Sequence, residues 1–359
     1  MIIKTEKKPS IVWFVPKRRM SPIISKFNPD YCWHPAKSLA SVWIRGYQIG
    51  RHLRERGFDV YCNAIDRTPQ VAVFLRRYGA EDVELARRLK AKRVKIVLDL
   101  VVDYFSVRDG TAEGVGKSSV SQVENMRALL AIADEVWTVS PFLQMQARKY
   151  NSNVHFVTDS VDECLFNPNQ RKSSRNTRPL AIGWSGVSKK ASQLNMISNV
   201  IRPIIEKGDI RVIVISNKKP QLNFPFEFKR WSYNRFPVDV AECDLCVAPR
   251  EVTCDYNRGH SIYKIGVFMA AGVPAITSNV PSYELLLQDG QSGAICKTLD
   301  DWHYQLNRFV EKQEVRKSWS DACIRKMKPF MTSYTAEKID RLLRSLLGYI
   351  SEKNTKSLT

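Results

Sequence analysis

The chain has 359 residues, 56 Lys and Arg against 36 Asp and Glu, and a formal net charge of +20. Hydrophobic residues make up 44% and charged residues 26%; this globular composition excludes a mostly disordered chain, and the length predicts two domains. Eight cysteines, spread from Cys32 to Cys323, form no compact framework, and the close pair Cys243 and Cys246 lacks a second CxxC or a His pair at zinc spacing. They read as reduced cysteines packed in cores. No run of ~18 apolar residues predicts a membrane-spanning helix. The apolar run at 11–15 is too short for a signal peptide, so the expected location is the cytoplasm.

In chain order, strand and helix patterns alternate. Residues 11–15 predict a short buried strand. Residues 37–56 predict a helix, because Leu39, Val42, Trp43, Gly46, Ile49 and Leu53 recur at helical spacing and Gly57 stops it. Strands are predicted at 58–62, 71–75, 94–101, 135–139 and 154–157, with helices at 81–92, 121–133 and 141–150. Repeated units of this kind predict a parallel sheet with helices on both faces. The polar stretch 167–179 has no periodicity. A linker at 171–179 therefore separates a first domain, 1–170, from a second, 180–330. There the alternation resumes, with strands at 180–184, 210–216, 244–248, 273–277 and 293–296, and helices at 191–206, 260–271 and 281–288. Three helices close the chain, and the last, within 331–352, is expected to pack back on the first domain. The fold class is α/β: two tandem Rossmann-like, doubly wound domains, with a ligand site in the cleft between them at the carboxyl ends of the strands.

Two segments of the second domain have the makeup of an anion site. Gly183-Trp184-Ser185-Gly186-Val187-Ser188-Lys189-Lys190 joins a strand to a helix. Its small residues admit a ligand to the backbone, the helix start offers N–H groups, and Lys189 and Lys190 add charge. It is neither a Walker A loop nor a GxGxxG turn, and a tight turn with two solvated lysines explains it about as well. The second segment, Arg258-Gly259-His260-Ser261-Ile262-Tyr263-Lys264, heads a helix. A lysine in a first turn opposes the helix dipole, and becomes favourable if an anion binds there; the alternative is a lysine snorkelling to solvent. In the first domain Asp99 and Asp103 flank a strand end and His34 precedes a helix. They are the catalytic candidates, against the alternative of loop carboxylates and a lone histidine. Residues 17–56 hold Lys17, Arg18, Arg19, Lys26, Lys37, Arg45, Arg51, Arg54 and Arg56 against Asp30 and Glu55. This is either a solvated face or a surface that meets phosphates. No nucleic-acid-binding signature accompanies it, so nucleic acid is not an expected partner.

The run Lys264-Ile-Gly-Val-Phe-Met-Ala-Ala-Gly-Val-Pro-Ala-Ile-Thr-Ser, preceded by Arg258-Gly259-His260, resembles the donor-site signature of GT-B glycosyltransferases of the "glycosyl transferases group 1" (GT4) type. Glu242-Cys-Asp-Leu-Cys-Val-Ala-Pro249 resembles the strand before it, and Val136-Trp-Thr-Val-Ser140 and Asp159-Ser-Val-Asp162 resemble the end of the first domain. The resemblance implies an enzyme that moves a sugar from a UDP- or GDP-sugar to a saccharide or lipid-linked acceptor in cell-surface glycan synthesis. It implies retention of configuration and no metal or cofactor. By position it assigns Gly186, Ser188 and Lys189 to the diphosphate turn, and Arg258, His260, Ser261, Tyr263 and Lys264 to the donor helix. Trp231 falls near the nucleobase. The family's ribose Glu falls at Val267 and its sugar Glu at Gly259, so ribose recognition must differ. The basic excess at 17–56 would set the first domain on an anionic membrane surface. The second reading is a catalytically silent relative that binds an anionic surface, lipid or nucleic acid.

Overall fold

The computed structural model describes residues 8–16, 32–35, 38–64, 68–110, 116–170 and 178–349. Its apolar runs, rich in Val, Ile and Phe without polar alternation, form strands buried on both faces, as parallel sheets require. The chain divides into two units. Unit 1 comprises Met1–Val107, Ser118–Asp159 and Thr332–Thr359; unit 2 comprises Arg108–Lys117 and Ser160–Met331. The expected first domain of 1–170 thus extends past the division, because 160–170 belong to unit 2, where Phe166 packs edge-on against Phe236 at 5.5 Å. Most of the expected linker, 171–177, lies outside the described residues.

Unit 1 holds β1 (Ser10–Phe14), β2 (Asp59–Cys62), β3 (Val71–Leu75), β4 (Lys95–Leu100), β5 (Glu135–Thr138) and β6 (Val154–Phe156). All pair in parallel, in the order β2-β1-β3-β4-β5-β6. The closing helix Thr332–Leu346 lies in this unit. Its Arg344 stacks over Phe58 at 4.9 Å and donates to the carbonyl of Arg56 at 3.0 Å.

Unit 2 holds β7 (Leu180–Gly186), β8 (Ile210–Ser216), β9 (Glu227–Arg230), β10 (Leu245–Ala248), β11 (Ala275–Ser278) and β12 (Gly293–Cys296). These are also all parallel, in the order β12-β11-β10-β7-β8-β9. Alternate residues of β8 feed two cores: Ile213 and Ile215 enter one, Val212 and Val214 the other. The two doubly wound α/β units agree with the fold class expected from the sequence.

The first long helix of unit 1 differs from its sequence reading. Between Ala40–Val42 and Ile49–Glu55 it winds as a π-helix over Trp43–Gln48. A π turn holds more residues than an α turn, so a wheel drawn at 3.6 misplaces its side chains. Arg45, read as part of a basic surface, is only 3% exposed. Its Nε donates to both carboxylate oxygens of Asp99 at 2.7 and 2.9 Å. Its Nη1 donates to the carbonyl of Val157 at 2.9 Å and to Asp159 at 3.2 Å. Gly46 lets Trp33 lie against the helix, since a Cβ there would stand 2.9 Å from the indole. Cys32 and Cys62, read as reduced, are joined in a disulfide.

The rest of the basic stretch is also partly occupied. Arg54 lies over Trp33 and donates to the carbonyl of Val60, Arg51 lies over Tyr47, and Arg56 sits 3.9 Å from Asp340. Lys17, Arg18, Arg19, Lys26 and Lys37 lie outside the described residues. Among the described residues no helix is long and apolar enough to cross a membrane.

Removing one partner of a buried pair leaves the other charge uncompensated, at a cost of about 3–5 kcal/mol. Arg45→Ala should therefore destabilise the protein by that order, read as a lower urea midpoint. A midpoint within experimental error of wild type would deny the pair its structural role.

Candidate functional site

The strand order of unit 2 reverses between β7 and β10: the chain continues from β7 to one side and returns to β10 on the other. Loops leaving the carboxyl ends of such a pair diverge and open a crevice. Beyond β7, the 3-10 helix Ser188–Ile197 starts with the Ser188 N–H donating to Asn217 Oδ1 at 2.9 Å. Lys189 is exposed, whereas Lys190 is partly buried, its Nζ 5.4 Å from the centroid of the Tyr256 ring. Of the two neighbouring lysines, Lys190 turns inward and Lys189 outward. Consecutive residues of a 3-10 helix point ~120° apart, so only one of two neighbours can turn inward.

Beyond β10 comes Arg250, 5% exposed and not anticipated from the sequence. Its N–H donates to Ser278 Oγ at 2.9 Å, and its Nη1 to Asn257 Oδ1 at 3.3 Å. Its charge also acts on the buried Tyr283, whose phenol burial pushes up and Arg250 pulls partly back. The signal that could have found it is its place: a polar residue immediately past a buried parallel strand next to the switch in strand order.

The Tyr263–Ala270 helix supplies Lys264. Its Nζ sits 4.2 Å from the centroid of the fully buried Trp184 ring. Gly186 makes room for it: a Cβ there would stand 2.7 Å from the Trp184 ring and 3.3 Å from Lys264 Nζ. His260 meets Tyr256 edge-on at 5.3 Å, and its buried Nε2 has no hydrogen-bonding partner among the described residues.

These groups act on one another. Burial, then Arg250 and Lys190, push the Lys264 ammonium well below its ordinary range. Burial, then Arg250, Lys190 and Lys264, push His260 well down, which keeps its imidazole neutral. Burial, then Arg250, bring Lys190 down to about 8. Opposing contributions come from the thiols of Cys246 and Cys254; no carboxylate of the described residues contributes. Among the described residues the site is a set of crowded basic groups on which no carboxylate acts, which suits a small polyanion.

The remaining candidates stand apart from this set. Arg258 pairs with Asp255 at 3.4 Å, both side chains about half exposed. Ser261 Oγ accepts from the Tyr263 N–H at 3.4 Å. Tyr263 packs against the core beneath the helix, and Val267, at the family's ribose position, is 1% exposed. Trp231 follows β9 at the sheet edge, its ring tilted against Phe236 at 6.1 Å and its backbone N–H donating to the carbonyl of Ser216.

In unit 1 the three catalytic candidates have structural partners. Asp99 is consumed by Arg45. Asp103 caps its own loop, accepting from the N–H groups of Phe105 and Ser106 at 3.1 and 2.9 Å. His34 lies edge-on against Tyr47 at 5.7 Å.

Solved structures share this architecture. Sucrose-phosphate synthase from Thermosynechococcus elongatus superposes with a TM-score of 0.69 at 10% identity, over 96% of this chain and 100% of its own. HepE of Anabaena, solved in complex with UDP and glucose, gives 0.62 at 12% identity, over 93% and 99%. A glycosyltransferase from Rickettsia africae gives 0.62 at 9% identity, over 95% and 99%. At such identities the likeness is one of fold. No protein-family model matches the chain, and no curated protein does.

A lysine whose pKa is lower in the folded than in the unfolded state destabilises the fold at low pH. Below about 8, Lys190 is protonated in both states and the whole penalty is present. Between about 8 and its ordinary value of 10.5 the unfolded state binds more protons, so stability rises with pH. Lys190→Gln and Lys264→Met should thus be more stable than wild type at pH 7, by about 1–2 kcal/mol. The wild type should gain on Lys190→Gln as pH rises from 8 to 10. Urea unfolding at pH 7, 8, 9 and 10, without added anions, measures both trends.

Proposed function

We propose that the protein is a glycosyltransferase of GT4-like type, which moves a sugar from a nucleotide-sugar donor to a saccharide or lipid-linked acceptor in cell-surface glycan synthesis. The observation that carries the reading is the uncompensated cluster of Lys190, Arg250 and Lys264 at the strand-order switch of unit 2. The fold is also one that HepE, solved with UDP and glucose, shares. A diphosphate linking nucleoside to sugar supplies the negative charge these residues lack.

The chemistry follows from the charges. Breaking the bond between the anomeric carbon and the diphosphate oxygen leaves both bonding electrons on that oxygen. Preorganised cations in a water-poor site stabilise this developing charge more than they stabilise the bound donor. Lys264 and Lys190 serve that role, with Arg250 held by Ser278 and Asn257. Neutral His260 offers Nε2 as a hydrogen-bonding group to the donor without a charge of its own. With protein cations on the leaving group, transfer proceeds without a divalent metal. Retention of configuration is the outcome that the sequence resemblance implies. A silent protein binding an extended anionic surface is less favoured, because these cations are compact and recessed rather than spread over a face.

Calorimetric titration with UDP and GDP tests the donor site. Lys264→Ala and Lys190→Ala should each weaken binding at least about tenfold, the loss expected for one charge-assisted contact. Lys189→Ala should bind within about twofold of wild type. A bound dianion raises the lysine pKa values, so binding at pH 8–9 takes up protons and its affinity falls as pH rises. Transfer from the matching sugar nucleotide should survive EDTA. Wild-type affinity in both Lys264→Ala and Lys190→Ala would remove the assignment.

A further inference from the structure

Residues Arg108–Lys117 belong to unit 2, although β4 and β5, which flank them in sequence, belong to unit 1. Arg108 opens this excursion. Its Nε donates to the carbonyl of Gly116 at 3.3 Å, and its guanidinium carbon lies 5.2 Å from the centroid of the Tyr256 ring. The same ring has Lys190 Nζ at 5.4 Å and the His260 ring edge-on at 5.3 Å.

Each cation is within the ~6 Å reach of the attraction between a charge and an aromatic face. Tyr256 is thus the common neighbour of Arg108, Lys190 and His260. Two cations gathered on one ring repel each other, and the ring's quadrupole offsets only part of that repulsion. An anion bound beside the ring would meet both charges.

We infer that Arg108 is a further phosphate-binding residue of the donor site, and that Tyr256 is the aromatic post that positions both Arg108 and Lys190. The inference rests on the proposed function. It adds a residue that the donor-helix motif does not contain, delivered from the other half of the sequence. The ligand is the diphosphate portion of a nucleotide sugar. Arg108 acts by charge and Tyr256 by its ring, so Tyr256 needs no hydroxyl for this task.

The test is calorimetric titration of the full-length protein with UDP and with inorganic pyrophosphate, at low and high salt. Arg108→Ala should weaken both about tenfold and flatten the salt dependence, and Arg108→Lys should recover part of the loss. Tyr256→Phe, which keeps the ring, should retain more affinity than Tyr256→Leu, which should lose affinity like Arg108→Ala. The Arg108→Ala, Tyr256→Leu double variant should lose far less than the product of the two single losses, because both act through one contact. Thermal melts confirm that each variant is folded. If Arg108→Ala binds both anions as wild type does while Lys264→Ala does not, Arg108 is outside the site and the inference falls alone. If wild type binds neither anion, the proposed function falls and takes this inference with it.

Discussion

The physical constraint on which the rest of unit 2 depends is the repulsion among Lys190, Arg250 and Lys264. Two unit charges ~5 Å apart repel by about 3 kcal/mol at the effective dielectric of a protein surface. A fold that holds three such groups together must solvate each without neutralising the set. It does so with neutral partners. Trp184 presents an aromatic face to Lys264, and Tyr256 presents one to Lys190. Arg250 is held by an amide oxygen and, through its backbone, a hydroxyl. Each partner lowers the cost of one cation and leaves its formal charge in place. A carboxylate would have stabilised the free protein better and competed with an anionic ligand.

The backbone makes this arrangement possible. Strands β7 and β10 are buried parallel neighbours whose continuations run to opposite sides of the sheet. Their carboxyl ends are fixed by two cores, so the residues that follow inherit fixed positions. Trp184 lies on β7 and Arg250 two residues past β10. Both are therefore anchored by the sheet rather than by loops. Gly186 completes the geometry, because any side chain there would collide with the indole on which the Lys264 charge rests.

Much of this was legible in the sequence. Apolar runs and helix stops located eleven of the twelve strands among the described residues, while the change of pattern after 167 falls past the division, since 160–170 belong to unit 2. The edge strand β9, Glu227–Arg230, was barely legible, because none of its four residues is fully buried and no apolar run marks it. Lys264 stood out because a cation in a first turn is locally unfavourable. Lys190 and Lys189 could not be separated, since adjacent lysines differ only in the direction the first turn gives them. Arg250 was hidden because nothing in its local sequence distinguishes a buried Arg from a solvated one. Arg45 was hidden for a different reason: its burial comes from a π-helical stretch, which breaks the 3.6-residue period on which a face assignment rests. The pairing of Asp99 was hidden along with it, since the partner lies 54 residues away.

Arg45 and Arg250 show why composition alone misleads about function. Both are arginines under 6% exposed, each fixed by hydrogen bonds from neighbouring elements. Arg45 faces two aspartates, so its charge is spent inside the fold and removing a partner chiefly costs stability. Arg250 faces an amide, a phenol and two lysines, so its charge raises the energy of the free protein and lowers that of any complex with an anion. On the proposed function, a buried guanidinium is structural in one unit and ligand-directed in the other. The difference lies wholly in whether its hydrogen-bond acceptors carry charge.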